Sequence, residues 1–451
     1  MNKWSVHVEN FGKIKRADIE VAPLTLFLGD NNSGKSYIMT LIYGLLNIRL
    51  YYGQYNLCTD SREYAECESI LESKLSLIDV GANQNFELTR EELHKYEVLL
   101  NCILEANIDK FILQLFNKRI SIDKLSVHFG EDNRFPLFID YDWSEGDYLI
   151  IYPYEEDGSH SLGYGYVFQD KSNKEVLSCF ICYILETLLQ NDFSNSIREN
   201  VMYLPTARTG FLLTYKSIVG QAMHDKFNIQ SQEKNLLTRP VGDFLSVLSS
   251  MSVKNEKEDF SDIIDFIQRE MLHGKISVAD LPSHDIFYQP TDSEKSLPMY
   301  LSSGVVTELT PLVMLLKYCN IETLLIEEPE ISLHPELQWK MARLMIRLVN
   351  HGVPVFVTTH SDLIIQHVNN MLKLSKVREK KEDVTISGYE DVDLINEEQV
   401  KVYQFNTTGD NKTEIENISC SDYGFEMMTF YNTLKQLSNE IDEIEGYMEE
   451  E

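Results

Sequence analysis

The sequence predicts an α/β fold, a mixed sheet flanked by helices with an α+β region inserted into it. Three observations carry that prediction. Short apolar runs at Leu24–Leu28, Leu324–Ile326 and Val355–Val357 each have the length of a buried strand. Each run stops on residues that carry chemistry: a glycine-containing loop, a pair of carboxylates, and a histidine. Helical periodicity follows the first run (Ile38, Leu41, Ile42, Leu45, Leu46), and a helix precedes each of the other two. Strands alternating with helices are the pattern of a largely parallel sheet.

The first run continues into Gly29-Asp30-Asn31-Asn32-Ser33-Gly34-Lys35-Ser36, which keeps the G-x-x-x-x-G-K-S spacing of a phosphate-binding loop. Gly29 and Gly34 permit turns that a Cβ would obstruct. The amides of Asn31, Asn32, Ser33 and Gly34, together with the start of the next helix, form a concave anion site. Lys35 is placed to reach the β- and γ-phosphates, and the Ser36 hydroxyl to ligate Mg²⁺. These residues make a nucleotide site within a P-loop NTPase fold.

Composition bounds what surrounds it. At 451 residues with 43% hydrophobic side chains, the chain has material for two or three domains. No apolar run reaches the roughly eighteen residues of a membrane span, so no membrane partner is expected. Met1–Val8 lacks the apolar core of a signal peptide. Seven scattered cysteines suit reduced thiols, and the expected location is cytoplasmic. A net charge of −31 argues against a surface that clamps nucleic acid along its length. Any nucleic-acid contact is local, or the main partner is another protein.

In chain order, residues 3–9 and 17–21 alternate like two strands of a meander, with Asn10, Phe11 and Gly12 in the turn. Residues 1–50 are the first part of the nucleotide-binding head. Residues 51–198 read as an inserted subdomain, helical over 61–120 and strand-like over 125–168. Six tyrosines from Tyr141 to Tyr166 are interleaved with acids, which favours sheet packing over stacking on bases. Cys179 and Cys182 fall in an apolar helical run without a second ligand pair, so they read as core cysteines rather than a zinc site. A strand at Val201–Leu204 ends on Pro205-Thr206-Ala207-Arg208-Thr209-Gly210, either a loop facing the active site or a plain connection. Residues 199–375 are the second part of the head. Residues 376–451 form a C-terminal strand hairpin and helix, with an apolar seam at Phe430, Leu434, Leu437, Ile441, Ile444 and Met448 that suits docking on a partner or on the head.

Within 199–375, Ser302, Ser303 and Gly304 stand before a helix through Leu309, Leu312 and Leu316, where hydroxyls and free amides meet an anion. Glu327 and Glu328 follow the strand Leu324–Ile326. A buried strand that delivers acids at its C-terminal end matches the way α/β sheets place ligand chemistry. Glu327 is placed to hold Mg²⁺ through its water shell, and Glu328 to polarise the attacking water. His360 closes the third strand and is placed to contact the γ-phosphate.

Four pieces together, Gly29–Ser36, Leu301–Gly304, Leu324–Glu328 and Thr359–His360, resemble the Walker A, signature, Walker B and H-loop of ABC-type ATPase heads. Phe11-Gly12, the Gly-Asp-Asn-Asn-Ser-Gly-Lys-Ser loop, Glu-Glu-Pro-Glu-Ile-Ser-Leu-His-Pro and Thr-Thr-His-Ser-Asp are similar to the SMC/RecF group. Its stand-alone bacterial members include ATPase subunits of antiphage systems of the PARIS and Septu type and the ATPase half of overcoming-lysogenisation-defect nucleases. The resemblance covers about residues 1–50 and 200–375. It implies ATP and Mg²⁺ as ligands, hydrolysis at Glu328, and a homodimer in which Ser302 and Gly304 complete the partner copy's site. It further implies a partner effector, a nuclease or toxin in phage defence; the alternative is a RecF- or Rad50-like ATPase of DNA maintenance. Val305 stands where ABC transporters carry Gln, and Glu327 where most P-loop proteins carry Asp. No sustained heptads occupy the insertion, which excludes a long SMC-like arm. Asp391-Val392-Asp393 has the spacing of a nuclease metal motif, but no apolar strand ending in a lone acidic residue precedes it, so a solvated loop and no intrinsic nuclease are expected.

Overall fold

The computed structural model describes residues 3–50, 55–76, 84–130, 135–142, 148–152, 174–189, 201–226, 237–251, 256–279, 285–380, 386, 388–426, 435–442 and 444–445. Its strands begin with β1 (Trp4–Phe11), β2 (Ile14–Glu20), β3 (Leu24–Gly29), β4 (Gln84–Leu88), β5 (Lys124–Phe129), β6 (Phe135–Asp142), β7 (Tyr148–Tyr152) and β8 (Val201–Leu204). They continue with β9 (Gly274–Val278), β10 (Ile286–Pro290), β11 (Leu297–Pro298), β12 (Thr323–Glu327), β13 (Val355–Thr359), β14 (Val400–Thr407) and β15 (Thr413–Ile418). The helices are α1 (Lys35–Leu46), α2 (Arg62–Ser76), α3 (Arg90–Phe116), α4 (Lys174–Leu188), α5 (Arg208–Lys226), α6 (Arg239–Ser250), α7 (Ser261–Phe266), α8 (Gly304–Tyr318), α9 (Pro335–Asn350) and α10 (Asp362–Lys380).

Strands without polar alternation must be covered on both faces. The strands β12 and β13 are buried at every position, and β3 at all but its last residue. They lie together in a nine-stranded mixed sheet of order β5-β1-β2-β15-β14-β3-β13-β12-β8. Strands β8, β12, β13, β3 and β14 are parallel, and Leu204, Ile326, Val357, Leu26 and Val402 form one row across them. Helices cover both faces. On one side α1, α3 and α4 pack in a core that includes Ile38, Leu100, Leu115 and Ile184, and on the other α8, α9 and α10 bury Leu312, Leu344 and Ile365. Parallel neighbours all end at the same edge, so the loops after β3, β8, β12 and β13 converge.

The region 51–198 contributes to this sheet as well as standing beside it. Strand β5 pairs antiparallel with β1 and forms the sheet's outer edge, and Gly12 N–H donates to the Ser121 carbonyl at 3.0 Å. A capping box, Thr89 with Glu92, starts α3, which reaches α1 where Leu115 lies against Gly44. The separate three-stranded sheet β4-β6-β7 also comes from this region. Tyr154, Tyr164 and Tyr166 lie outside the described residues. Cys179 and Cys182 are on α4, Cys182 buried, and neither is in a disulfide.

The C-terminal hairpin enters the middle of the sheet. Strand β14 runs parallel to β3, and β15 runs parallel to β2. Tyr403 and Phe405 pack against Phe27, the first tilted and the second edge-on, with ring centroids 6.0 and 5.8 Å away. The Asp391–Asp393 stretch departs from the expected solvated loop. It forms a short 3₁₀ turn in which Asp391 is exposed and Asp393 is fully buried. The reason is ionic: Asp393 accepts from Arg347 Nε and Arg343 Nη2 on α9, both at 2.7 Å. In the C-terminal seam, Leu437, Ile441 and Ile444 are exposed, and Phe430, Leu434 and Met448 lie outside the described residues. Among the described residues, no helix is long and apolar enough to cross a membrane.

Candidate nucleotide site

The loop after β3 takes the shape its glycines allow. Gly29 has φ 136 and Gly34 φ 100, both in the region that side chains avoid. A Cβ on Gly29 would collide with the Phe405 carbonyl, so the loop's first residue is set by the neighbouring strand β14. Gly34 is the N-cap of α1, which leaves the helix's first amides available to an anion. Lys35 is buried, and its ammonium donates to the carbonyls of Gly29 and Asp30, each at 2.8 Å. Burial pulls its pKa down to about 8, against the raising influence of Glu328, Asp30, Glu330 and Glu327. A bound polyphosphate would supply the counter-charge that burial denies it.

A cavity of about 300 Å³ opens over this loop. Asn31, Asn32, Ser33, Gly34, Lys35 and Ser36 line it, together with Glu328 and His360 from the ends of β12 and β13. Gly12, Lys13, Tyr37 and Ile120 complete the wall, Ile120 arriving from the loop between α3 and β5. The volume and the mix of amides, two lysines and apolar walls suit a nucleotide.

Glu327 and Glu328 are neighbours in sequence but differ in environment. Glu327 is buried, and its Oε2 accepts from the amide and hydroxyl of Thr206 at 3.3 and 3.1 Å. Its Oε1 is buried without a hydrogen bond, and the Tyr203 hydroxyl stands near the carboxylate. Glu328 adopts a left-handed backbone, φ 44, unusual for a residue with a long side chain. Its amide donates to the Thr358 carbonyl at 2.8 Å, and its Oε1 lies 3.7 Å from His360 Nε2. Glu330 holds the histidine's main chain: its Oε1 accepts from His360 N–H at 2.6 Å and its Oε2 from the Thr359 hydroxyl at 2.9 Å.

The turn after β8 faces these acids. Arg208 is 3% exposed and donates to the Glu327 carbonyl at 2.6 Å, the Glu328 carbonyl at 3.1 Å and the Pro205 carbonyl at 3.2 Å. Its Nη2 also lies 2.6 Å from Glu308 Oε1 on α8. Burial pulls the Arg208 guanidinium below its ordinary value and pushes the Glu308 carboxyl above its own, with their attraction opposing both shifts. The sequence alone leaves the Arg208 loop open between two readings and gives no individual role to Glu308, Glu330 or Thr206. The signal for Glu308 was present: it is the one charged residue in the apolar stretch Val305–Leu316.

Ser302, Ser303 and Gly304 do not line the cavity over Lys35 of their own chain. Ser303 caps α8, accepting from Val306 N–H at 3.5 Å, while Ser303 and Gly304 are exposed. A Cβ on Gly304 would stand 3.6 Å from Ser332, in the loop that follows Glu328. Glu327 likewise does not line the cavity, and acts on Lys35 through its field. For a divalent ion, the donor set is hard oxygen, and the unpartnered buried Oε1 of Glu327 and the exposed Ser36 fit it.

A family model described as AAA ATPase domain matches residues 1–365. The chain belongs to that family. The AAA ATPase domain therefore spans the phosphate loop, residues 51–198 and the loops bearing Glu328 and His360, while β14 and β15 lie beyond the match. No curated protein matches the chain. Among solved structures, it is similar to an SMC head bound to the C-winged helix domain of ScpA, at 13% identity and a TM-score of 0.36, covering 92% of this chain and 97% of that one. It is also similar to the SMC head domain from Thermotoga maritima, at 10% identity and a TM-score of 0.35, covering 93% and 100%. A third is an SMC head with an extended coiled coil bound to the C-terminal domain of ScpA, derived from Pyrococcus furiosus, at 11% identity and 0.35, covering 99% and 100%. At such TM-scores these likenesses carry no argument about the AAA ATPase domain's function.

Proposed function

We propose that this AAA ATPase domain protein is an ABC/SMC-type ATPase that binds and hydrolyses ATP in sites shared by two copies of the chain. In this reading, closure and opening of the dimer control a partner effector, a nuclease or toxin in prokaryotic antiphage defence. The observation that carries it is the meeting of Lys35, Glu328 and His360 around one cavity, while Ser303 and Gly304 stand exposed elsewhere. A head that held every phosphate contact in one chain would need no second copy.

Lys35 neutralises charge on the transferring phosphoryl group, and the loop amides orient it. Glu328 orients the attacking water and accepts its proton, with His360 on the γ-phosphate side of the same wall. Ser36 and, through water, Glu327 would hold Mg²⁺, which supplies neutralisation of β- and γ-oxygen charge when bound. Ser302 and Gly304 of the second copy would add contacts only when the γ-phosphate is present, so nucleotide biases the dimer by that difference. The effector role rests on the family resemblance and on a net charge of −31, which suits protein partners better than a nucleic-acid clamp.

Mixing two inactive chains tests the shared site. Lys35→Ala and Ser302→Arg, each dead alone, should regain partial hydrolysis together, because a mixed dimer keeps one intact composite site. Mixtures that stay dead although mixed dimers are shown to form would sink the reading.

A further inference from the structure

We propose that Arg208 and Glu308 form a clamp that ties the Ser302–Gly304 end of α8 to the backbone of Glu327 and Glu328, which makes Arg208 a positioning residue for hydrolysis. This rests on the reading of Glu328 as the group that orients water.

The clamp is built from a single planar fork. Arg208 Nη1 donates to the Glu327 carbonyl at 2.6 Å and Nη2 to the Glu328 carbonyl at 3.1 Å, so the guanidinium spans two consecutive peptides at the strand's end. Only arginine offers donors in that fixed geometry. The Glu328 peptide needs such a hold. A left-handed φ of 44 at a glutamate is costly and persists only where the surroundings over-determine it. Here the Thr358 carbonyl takes the Glu328 amide at 2.8 Å, and Arg208 takes its carbonyl.

The other end of the clamp is on α8. Glu308 follows Gly304 by one helical turn, so the two share a face and move together. Its Oε1 lies 2.6 Å from Arg208 Nη2, and its Oε2 accepts from the Thr209 hydroxyl at 2.6 Å. Both side chains are nearly sealed from solvent, at 3% and 1% exposure. A buried ion pair adds little net stability over two well-packed apolar residues. Its presence is accounted for by the geometry it imposes: a shift in the first turn of α8 reaches the Glu328 carbonyl through one rigid guanidinium.

The test compares Arg208→Lys, which keeps the charge and loses the fork, with Glu308→Gln, which keeps the size and one acceptor oxygen and loses the charge. In both, kcat should fall by about tenfold or more, while ATP affinity stays within about twofold of the parent. Amide hydrogen exchange should quicken over residues 327–331 and stay unchanged in β3 and β13. A kcat within about twofold of the parent in both variants would overturn the clamp. So would a loss of kcat matched by an equal loss of ATP affinity, or by faster exchange across the whole sheet, since either signals general unfolding. If Glu328→Gln in the otherwise parental chain hydrolyses at full rate, the assignment of Glu328 fails, and the local exchange measurement still decides the clamp.

Discussion

Two residues of the site, one on the cavity wall and one at the start of the phosphate loop, hold backbones that their neighbours impose. Glu328 is held at φ 44 between Thr358 and Arg208, which aims its carboxylate toward His360. Glu328→Gln keeps that shape and removes the proton acceptor. It should bind ATP as the parent does, lose turnover by about a hundredfold or more, and accumulate dimers in ATP by light scattering. Parental turnover in this variant, with Lys35→Ala inactive, would remove Glu328 from the role. Gly29 is the second case, at φ 136 with the Phe405 carbonyl where a Cβ would stand. Gly29→Ala should cost about 1–3 kcal/mol or more in denaturant unfolding. Gly210, in α5 with open space around its Cβ position, is the control, and Gly210→Ala should stabilise by about 0.5–1 kcal/mol.

At the scale of elements, the contacts that tie the chain's end to the head are ionic as well as apolar. Asp393 joins its 3₁₀ turn to α9 through Arg343 and Arg347, and Arg347 lies over the Phe266 ring at 4.2 Å. Burial pushes the Asp393 carboxyl up, but the hydrogen bonds from Arg347 and Arg343 more than offset it and hold it below the ordinary 3.8. Its contribution to stability is therefore fully present above that ordinary value and is lost as pH falls through the lower folded one. Asp393→Asn leaves two largely buried arginines short of a counter-charge and should cost about 3–5 kcal/mol at neutral pH. Unfolding measured as a function of pH should show the gap between parent and variant narrowing in acid. A gap that stays constant would mean that the carboxylate's charge does not matter there.

For the whole molecule, the Asp391–Asp393 motif, which has nuclease spacing, is spent on structure. Asp393 is fully buried between arginines, and among the described residues no group of three or more His, Cys, Asp or Glu side chains could hold a metal ion. With Mg²⁺ or Mn²⁺ the purified chain should leave single- and double-stranded DNA and RNA uncut. Cleavage that disappears in Asp391→Ala and Asp393→Ala would reverse that expectation. A charge of −31 also predicts that close approach of two copies is easier at moderate salt than at very low salt, which belongs in the design of the mixing experiment.

By itself, the sequence determined the elements whose signals are local. The phosphate loop, the strand ending in Glu327 and Glu328, and the strand ending before His360 each fit within about ten residues, and their burial follows from uninterrupted apolar composition. Helices α1, α8 and α9 were legible for the same reason. Only the tertiary structure decided what depends on distant partners. The carbonyls that Arg208 grips lie 119 and 120 residues away, so its loop looked the same whether functional or not. The β-branched and aromatic composition of Val400–Phe405 announces a strand, but not that it lies beside β3 and sets the room around Gly29. Asp393 reads as one more solvated acid until Arg343 and Arg347, 50 and 46 residues earlier, are folded against it. A charged or polar side chain carries no local mark of its partner, because pairing is settled by which elements the sheet order brings together, whereas apolar periodicity is written along the element itself.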